Sequence, residues 1–360
     1  MHVTFFEGRR TGCMHWRAGG RHIRAADEHN RPPMTTSMRL GVVMDPIGAI
    51  SYAKDSTLAM LLAAQRVGWS VIYFRQQDLL VRDGAPAGAG RHLEVRDDAE
   101  SWFTVGGAWN HGLEKLDVLL MRKDPPFDME YIYTTYILEL AENRGVLVVN
   151  RPSSLRDINE KAYTSWFPQC TPPSLVTRSR NELLSFLDEH RRIVLKPFDG
   201  MGGRSIFVVA AGDLNVNVII ETLTGDGERF TLAQRYVPEI VHGDKRILLI
   251  DGEPIEYALA RIPAPGESRG NLVMGAKGEG RILTERDRWL CGQVGPTLRA
   301  KGVMFAGLDV IGDYLTEINV TSPTGIRELD RQYGIDIAAK LIAAIDRKLG
   351  DARRSAAGRR

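Results

Sequence analysis

Long apolar runs are missing from this sequence. No stretch approaches the roughly 18 to 20 consecutive apolar residues that a membrane-crossing helix requires, and no signal-peptide-like core stands near the start. Cysteine is scarce. Cys13, Cys170 and Cys291 are odd in number, far apart and without metal-ligand spacing, so they form neither a disulfide framework nor a zinc site. They fit a reducing compartment, and the expected address is the cytoplasm. A dominant charge is lacking as well. The formal net charge is +2 and comes from the ends: residues 1–37 hold six Arg against three acids, residues 348–360 five basic residues against one, and the body between is near −5. A slightly acidic body argues against a nucleic-acid surface, which concentrates Lys and Arg on one folded face. Several catalytic signatures are absent too. There is no G-x-S-x-G elbow and no persuasive Cys/His pair in the body, no G-x-x-x-x-G-K-[ST] loop, and no G-x-G-x-x-G after the first strand.

What is present is 360 residues with 43% hydrophobic content, enough for two or three domains with sizeable cores. Residues 1–37 show no apolar period and read as a disordered leader or a misassigned start, with Met38 the natural initiator. From Arg39 the pattern alternates. "RLGVVM" (39–44) is a strand, "DSTLAMLLAAQRVG" (55–68) a helix with a polar cap and a terminal glycine, and "SVIYF" (70–74) a strand. A second β-α-β unit runs over "LDVLLM" (116–121), a helix at 129–145, and "VLVVN" (146–150). Residues 82–115 between the units read as a peripheral ribbon and loop. This half is an open parallel sheet with helices on both faces. After residue 151 the pattern changes to short strands joined by tight turns, with helices expected near 179–190, 285–300 and 334–349. No internal repeat is found.

Several stretches carry chemistry. In "VLKPFDGMGGRSIFVV" (194–209), Gly200, Gly202 and Gly203 let backbone N–H groups point at an anion beside Lys196, a phosphate cradle; the plain alternative is a Gly-rich hairpin turn. "TLAQRYVPEI" (231–240) ends at Pro238, which cannot continue a ladder, so Gln234 to Val237 can offer free backbone groups to a purine edge or simply end a strand. Lys245 and Arg246 precede an apolar run, where a solvated edge is the ordinary reading. "RIPAPGESRGNLVMGAKGEG" (261–280), with Arg261, Arg269, Asn271 and Lys277, reads as a lid over a phosphorylated intermediate or a mobile loop.

"GLDVIGDYLTEINV" (307–320) reads as two strands around Gly312 and Asp313. Glu317 and Asn319 share one face, roughly 7 Å apart. Asp309 joins them if the loop is odd-numbered and centred on Asp313; a two-residue turn puts it on the other face. Two carboxylates and an amide oxygen, completed by phosphate and water, suit Mg²⁺ in a nucleotide site, against the alternative of polar groups facing solvent. "VTSPTG" follows with hydroxyls where a substrate could sit. The loops "DPIGAISYAKDST" (45–57) and "RKDPPFD" (122–128) lie at the carboxyl ends of the first strands, where open parallel sheets bind ligands, and Arg122 suits a carboxylate.

"LGVVMDPI", "MRKDPPFD", "LRDINEK", "LKPFDGMGG" and "LTEINVTSPTGIRE", with their spacing, resemble bacterial glutathione synthetases of the ATP-grasp superfamily from Met38 to about Leu349. The resemblance implies an α/β and α+β chain: an N-terminal parallel-sheet (pre-ATP-grasp) domain over 38–158, then a two-subdomain ATP-grasp fold over 159–236 and 237–350, with a lid loop at 262–280 and a basic tail at 351–360. It implies that Lys161 and Lys196 contact ATP, that Gln234, Tyr236 and Val237 form the adenine hinge, and that Asp244 meets the ribose. Asp309, Glu317 and Asn319 would hold Mg²⁺ or Mn²⁺. Arg122, Arg246, Arg261, Arg269, Ser322 and Thr324 would bind the peptide or the developing acyl phosphate, with Arg246, Arg261 and Lys196 catalytic. The implied reaction joins γ-glutamylcysteine and glycine at the expense of ATP, in a cytoplasmic homotetramer with small-molecule partners and neither nucleic acid nor membrane. Two other readings stay open: an ATP-grasp ligase with another acid and amine, and a nucleotide-binding module without ligation.

Overall fold

The computed structural model describes residues 37–200, 204–264 and 277–357. The expected leader, apart from Ser37, lies outside the described residues, as do Gly202, Gly203, Arg269, Asn271 and the last residues of the tail.

The chain opens with β1 (Arg39–Val43), α1 (Ser56–Arg66) and β2 (Ser70–Phe74). α1 starts where the Asp55 side chain accepts the Leu58 N–H at 2.6 Å, and it ends before Gly68, whose φ of +83° suits glycine. β3 (Leu79–Arg82), β4 (Ala85–Val95) and β5 (Phe103–Gly112) follow, then β6 (Val118–Met121), α2 (Met129–Glu142) and β7 (Leu147–Val149). β2, β1, β6 and β7 are parallel neighbours, and the expected ribbon extends the sheet antiparallel through β4, which makes it a seven-stranded mixed sheet. Alternation along the central strands divides the packing between two faces. Leu40, Val42, Val71, Val118 and Leu120 pack with α1 residues such as Leu58 and Leu61, whereas Val43, Ile72, Phe74 and Leu119 pack with Tyr131 and Leu138 of α2.

The middle of the chain contains α3 (Pro152–Asp157), β8 (Ser174–Thr177), α4 (Arg180–His190), β9 (Arg192–Pro197), β10 (Phe207–Ala210), α5 (Val216–Thr224) and β11 (Thr231–Arg235). Its four strands form an antiparallel sheet in the order β10-β9-β11-β8, with a core of its own under α4 and α5 that includes Leu183, Leu187, Ile193, Leu195, Ile220 and Leu223. The sequence reading places no helix at 216–224, where "NVNVII" is rich in β-branched residues. Ile220 and Leu223 nevertheless reach that core at helical spacing, and Gly225, at φ +54°, ends the helix.

The last part holds β12 (Asp244–Ile250), β13 (Glu253–Ile262), β14 (Lys277–Ile282), α6 (Glu285–Ala300), β15 (Phe305–Ile311), β16 (Tyr314–Asn319), α7 (Ile326–Tyr333) and α8 (Ile337–Ala357). The five strands run antiparallel in the order β14-β13-β12-β15-β16. Three expectations change here. β12 lies inside the sheet between β13 and β15, so Lys245 and Arg246 are not on a solvated edge. Residues 277–280 of the expected 262–280 lid lie in a strand, 277–282, paired with 257–262, and residues 265–276 of it lie outside the described residues. The last helix runs to Ala357, and α7 precedes it.

The first and last sheets share two hydrophobic clusters: Ile247, Leu308 and α6 residues lie in the cluster of Val43 and α2, and Phe305 with α8 residues in that of Leu40 and α1. Asn150 joins the sheets through polar bonds. Its Nδ2 donates to the Phe305 and Val320 carbonyls, both at 2.7 Å, and its Oδ1 accepts the Met304 and Phe305 N–H groups at 2.8 and 2.9 Å. Among the described residues no helix is long and apolar enough to cross a membrane.

Candidate active site

A cleft of about 770 Å³ is lined by strand residues of the second and third sheets and by the loops that follow β1 and β6 of the first. The β15–β16 hairpin contributes Asp309, Thr316, Glu317 and Asn319. Its turn has two residues, with Ile311 opposite Tyr314, so the odd-numbered loop centred on Asp313 is not what forms. Without a further irregularity Asp309 would face Thr316. A bulge between Asp309 and Val310 in the register shifts the pairing, and Asp309 opposes Glu317 while Gly307 opposes Asn319. The expected pairing therefore holds for a different reason from the one the sequence offered.

Charged groups continue across the sheet. Arg246 stands opposite Asp309 on the neighbouring strand, and Arg261 opposite Asp244. Arg246 binds Asp309 through both Nε and Nη2, the latter at 2.9 Å. Arg261 Nη2 also reaches Asp309, at 2.9 Å, and pairs with Asp244. Burial opposes ionisation of Asp309, but the two guanidinium groups outweigh it and hold the carboxyl well below the usual carboxylate range. Asp244 has only part of that compensation. Burial pushes it up to about 6, against Arg261 and with Asp309 adding to the rise, and its Oδ1 has no hydrogen-bond partner among the described residues.

Lys196, at the end of β9, is buried and lies 3.8 Å from Glu317. Burial lowers its pKa, partly countered by Glu317. Lys161 Nζ donates to the Gly200 carbonyl at 2.5 Å. A side chain at Gly200 would place its Cβ 2.8 Å from Pro197 Cγ and 3.1 Å from the Arg204 carbonyl, so the close approach of the chain requires glycine there.

Val194, Val208, Val237 and Ile240 give the cleft an apolar lining, with Gln234 and Tyr236 also at its wall. The free-backbone reading of 234–237 fails for the N–H groups of Arg235 and Tyr236. β11 is an interior strand, the Arg235 N–H goes to the Pro173 carbonyl, and the Tyr236 N–H goes to the Arg192 carbonyl. The Gln234 side chain donates to Ser174 Oγ at 3.1 Å.

Ser322 and Thr324 line the cleft too, as do Asp45, Lys123 and Asp124 of the first sheet's loops. Arg122 is not among the lining residues. It is buried, and it donates to Thr57 Oγ1 and to the Pro323 carbonyl, both at 3.1 Å, which holds the 322–324 turn from behind. Asp45 pairs with Lys123 at 3.0 Å and accepts the Asp124 N–H.

Sequence reasoning missed Glu160 and Glu328. Glu160 accepts from Thr321 Oγ1 at 2.8 Å, and burial raises its pKa with Glu317 adding to the rise. It lies next to Lys161 within "LRDINEK", so the motif marked the segment without singling out this residue. Glu328 looks in sequence like an ordinary surface-helix charge.

The fold, the cleft and the match of residues 160–334 to an ATP-grasp domain together define an ATP-grasp enzyme. D-cycloserine synthetase DcsG shares the fold with a TM-score of 0.61 at 15% identity, covering 86% of this chain and 99% of that one. The ATP-grasp ligase PsnB, in a structure complexed with minimal precursor, Mg and ADP, has a TM-score of 0.57 at 16% identity, covering 86% and 98%. Residues 38–156 match the prokaryotic glutathione synthetase N-terminal domain, and residues 160–334 the prokaryotic glutathione synthetase ATP-grasp domain. A glutathione synthetase of Pseudomonas putida is 62% identical over 313 residues, 87% of this chain and 99% of the relative. That of Coxiella burnetii is 55% identical over 312 residues, 87% and 97%. The chain belongs to the prokaryotic glutathione synthetase family.

Proposed function

We propose that the chain joins γ-glutamylcysteine to glycine, with ATP converted to ADP and phosphate. The observation that carries this reading is the Asp309–Glu317 pair in one cleft with Lys196, Arg246 and Arg261. A dipeptide carboxylate is a poor electrophile, so it is first phosphorylated by ATP; the glycine amine then attacks the acyl carbon of the acyl phosphate and phosphate leaves. Lys161 and Lys196 hold the nucleotide phosphates, and Arg246 and Arg261 neutralise charge on the transferring group. The apolar lining of Val194, Val208 and Val237 receives the adenine, and Asp244 the ribose. Ser322, Thr324 and the loops of the first sheet take the peptide, with Arg122 supporting their turn and Arg269 joining from 262–280.

Asp309, Glu317 and Asn319 fit Mg²⁺ or Mn²⁺ by their chemistry. All offer oxygen, Asp309 is held ionised, and the Asn319 Nδ2 bond to the Gly307 carbonyl at 3.3 Å leaves Oδ1 available. A divalent ion bound there would supply Lewis-acid neutralisation of phosphoryl oxygens. The scheme assigns 38–158 to the peptide and 159–236 with 237–350 to the nucleotide, in a cytoplasmic homotetramer, a state that sedimentation would check. The central test is coupled ADP release with γ-glutamylcysteine, comparing glycine with other amines. Strong preference for glycine is expected; equal or better turnover with a different amine would point to another ligase, and ADP release independent of any amine would refute ligation.

A further inference from the structure

Glu160 and Glu328 line the cleft and have no part in the chemistry above. Glu328, in the first turn of α7, is 9% exposed, lines the cleft, and has no hydrogen-bond partner for Oε2 among the described residues. A buried carboxylate oxygen without a hydrogen bond is costly; burial raises the pKa of Glu328, countered first by a hydrogen bond from its own backbone. Arg331, Lys54 and Arg327 act on it through space, but two of these have other partners: Arg327 pairs with Asp97 at 2.6 Å, and Arg331 donates to the Arg327 and Ala53 carbonyls. Asp55 lines the same cleft. The Ile326 N–H donates to Ser56 Oγ at 3.3 Å, which brings the start of α7 to the start of α1 and sets Asp55 and Glu328 at one end.

We propose that Glu328, with Asp55 at the same end of the cleft, recognises the primary ammonium group of the acyl donor. This assignment rests on the ligase reading. Two amines enter such a reaction, and their chemistry separates them. The acceptor must attack as a neutral amine, and a carboxylate bound to it would hold it protonated. The α-ammonium of a γ-glutamyl donor stays charged throughout turnover and suits a buried carboxylate. The surroundings agree. Glu160 feels Glu317, Lys161 and Arg246 of the phosphoryl centre, whereas the charged groups acting on Glu328 are Arg331, Lys54 and Arg327. A donor without the ammonium leaves Glu328 Oε2 without a hydrogen bond, which makes the residue a specificity determinant.

The test compares γ-glutamylcysteine with its desamino analogue, glutarylcysteine, each with glycine and ATP, in the wild-type chain and in Glu328→Gln. The wild type is expected to favour the amino-bearing donor by at least about 100-fold in kcat/KM. Glu328→Gln is expected to raise KM for γ-glutamylcysteine by roughly 10- to 100-fold, with KM for ATP unmoved, and to bring the donor preference below about tenfold. A wild type that uses both donors equally overturns the assignment without any variant, and so does a Glu328→Gln chain that keeps the full preference or shows its KM change for glycine instead. A wild type that turns over neither donor overturns the ligase reading, and this assignment with it.

Discussion

Replacing Asn150 by leucine removes a side chain of similar size that makes four buried hydrogen bonds to two distant main-chain segments. Two N–H groups, of Met304 and Phe305, and two carbonyls, of Phe305 and Val320, lose their partner. At about 1 kcal/mol for each net bond the loss is about 4 kcal/mol, and groups left unsatisfied in the interior raise it toward about 6. Folded chains are stable by only about 5–15 kcal/mol, so this is a large part of the whole. Urea unfolding followed by circular dichroism measures it, as a fall in midpoint on the order of 1 M or more. Asn150 is 4% exposed, so water has little access to replace the lost bonds. Val320 follows Asn319 directly, so the same substitution also frees the end of the strand that carries Glu317 and Asn319. A loss below about 1 kcal/mol would refute the reasoning, because it would mean that the four bonds do not hold the last sheet to the first.

Three other outcomes follow from the site and its supports. Glu317→Gln is expected to keep the fold and lose turnover on the order of 100-fold, recovering in part as Mg²⁺ is raised; wild-type rates at ordinary Mg²⁺ would sink the ligand role. Gly295→Ala is expected to destabilise by about 1–3 kcal/mol in a thermal melt, since a Cβ there would lie 2.1 Å from the Gly252 carbonyl oxygen and push α6 off the β12–β13 turn. Burial pushes Asp330 up to about 6, above its unfolded value of 3.8. Its ionised form therefore disfavours folding, a cost absent at pH below 3.8 and complete above about 6. Asp330→Asn, which can still accept the Ile337 N–H, should accordingly raise Tm at about pH 7.5, with the gain shrinking as pH falls toward about 4.

Periodicity made much of the first sheet legible. β1, α1, β2, β6, α2 and β7 each bury a continuous apolar run or stripe, a local pattern that does not depend on distant partners. Lys196, Glu317 and Asn319 were legible as polar groups interrupting otherwise strand-like segments. α5 was not, because β-branched residues favour a strand until the core under α4 and α5 is there to receive a helical face. Arg122 read as a ligand for a carboxylate, but its position behind Pro323 depends on a contact 201 residues away. The roles of Asn150 and Glu328 were not legible for the same reason, although Glu328 ends a quoted motif: the partners of one and the exposure of the other are set by segments far off in sequence.

The order of the elements, the class of chemistry and most of the charged residues in the cleft are written into short stretches of the chain, since they follow from local apolar period and from compact motifs. How those residues face one another is a tertiary outcome. The bulge in β16 sets Asp309 opposite Glu317 across a two-residue turn, the interior place of β12 buries Arg246 beside Asp309, and the meeting of α7 with α1 leaves Glu328 at the cleft wall. Register, strand order and burial are properties of pairs of segments, and no single segment contains them.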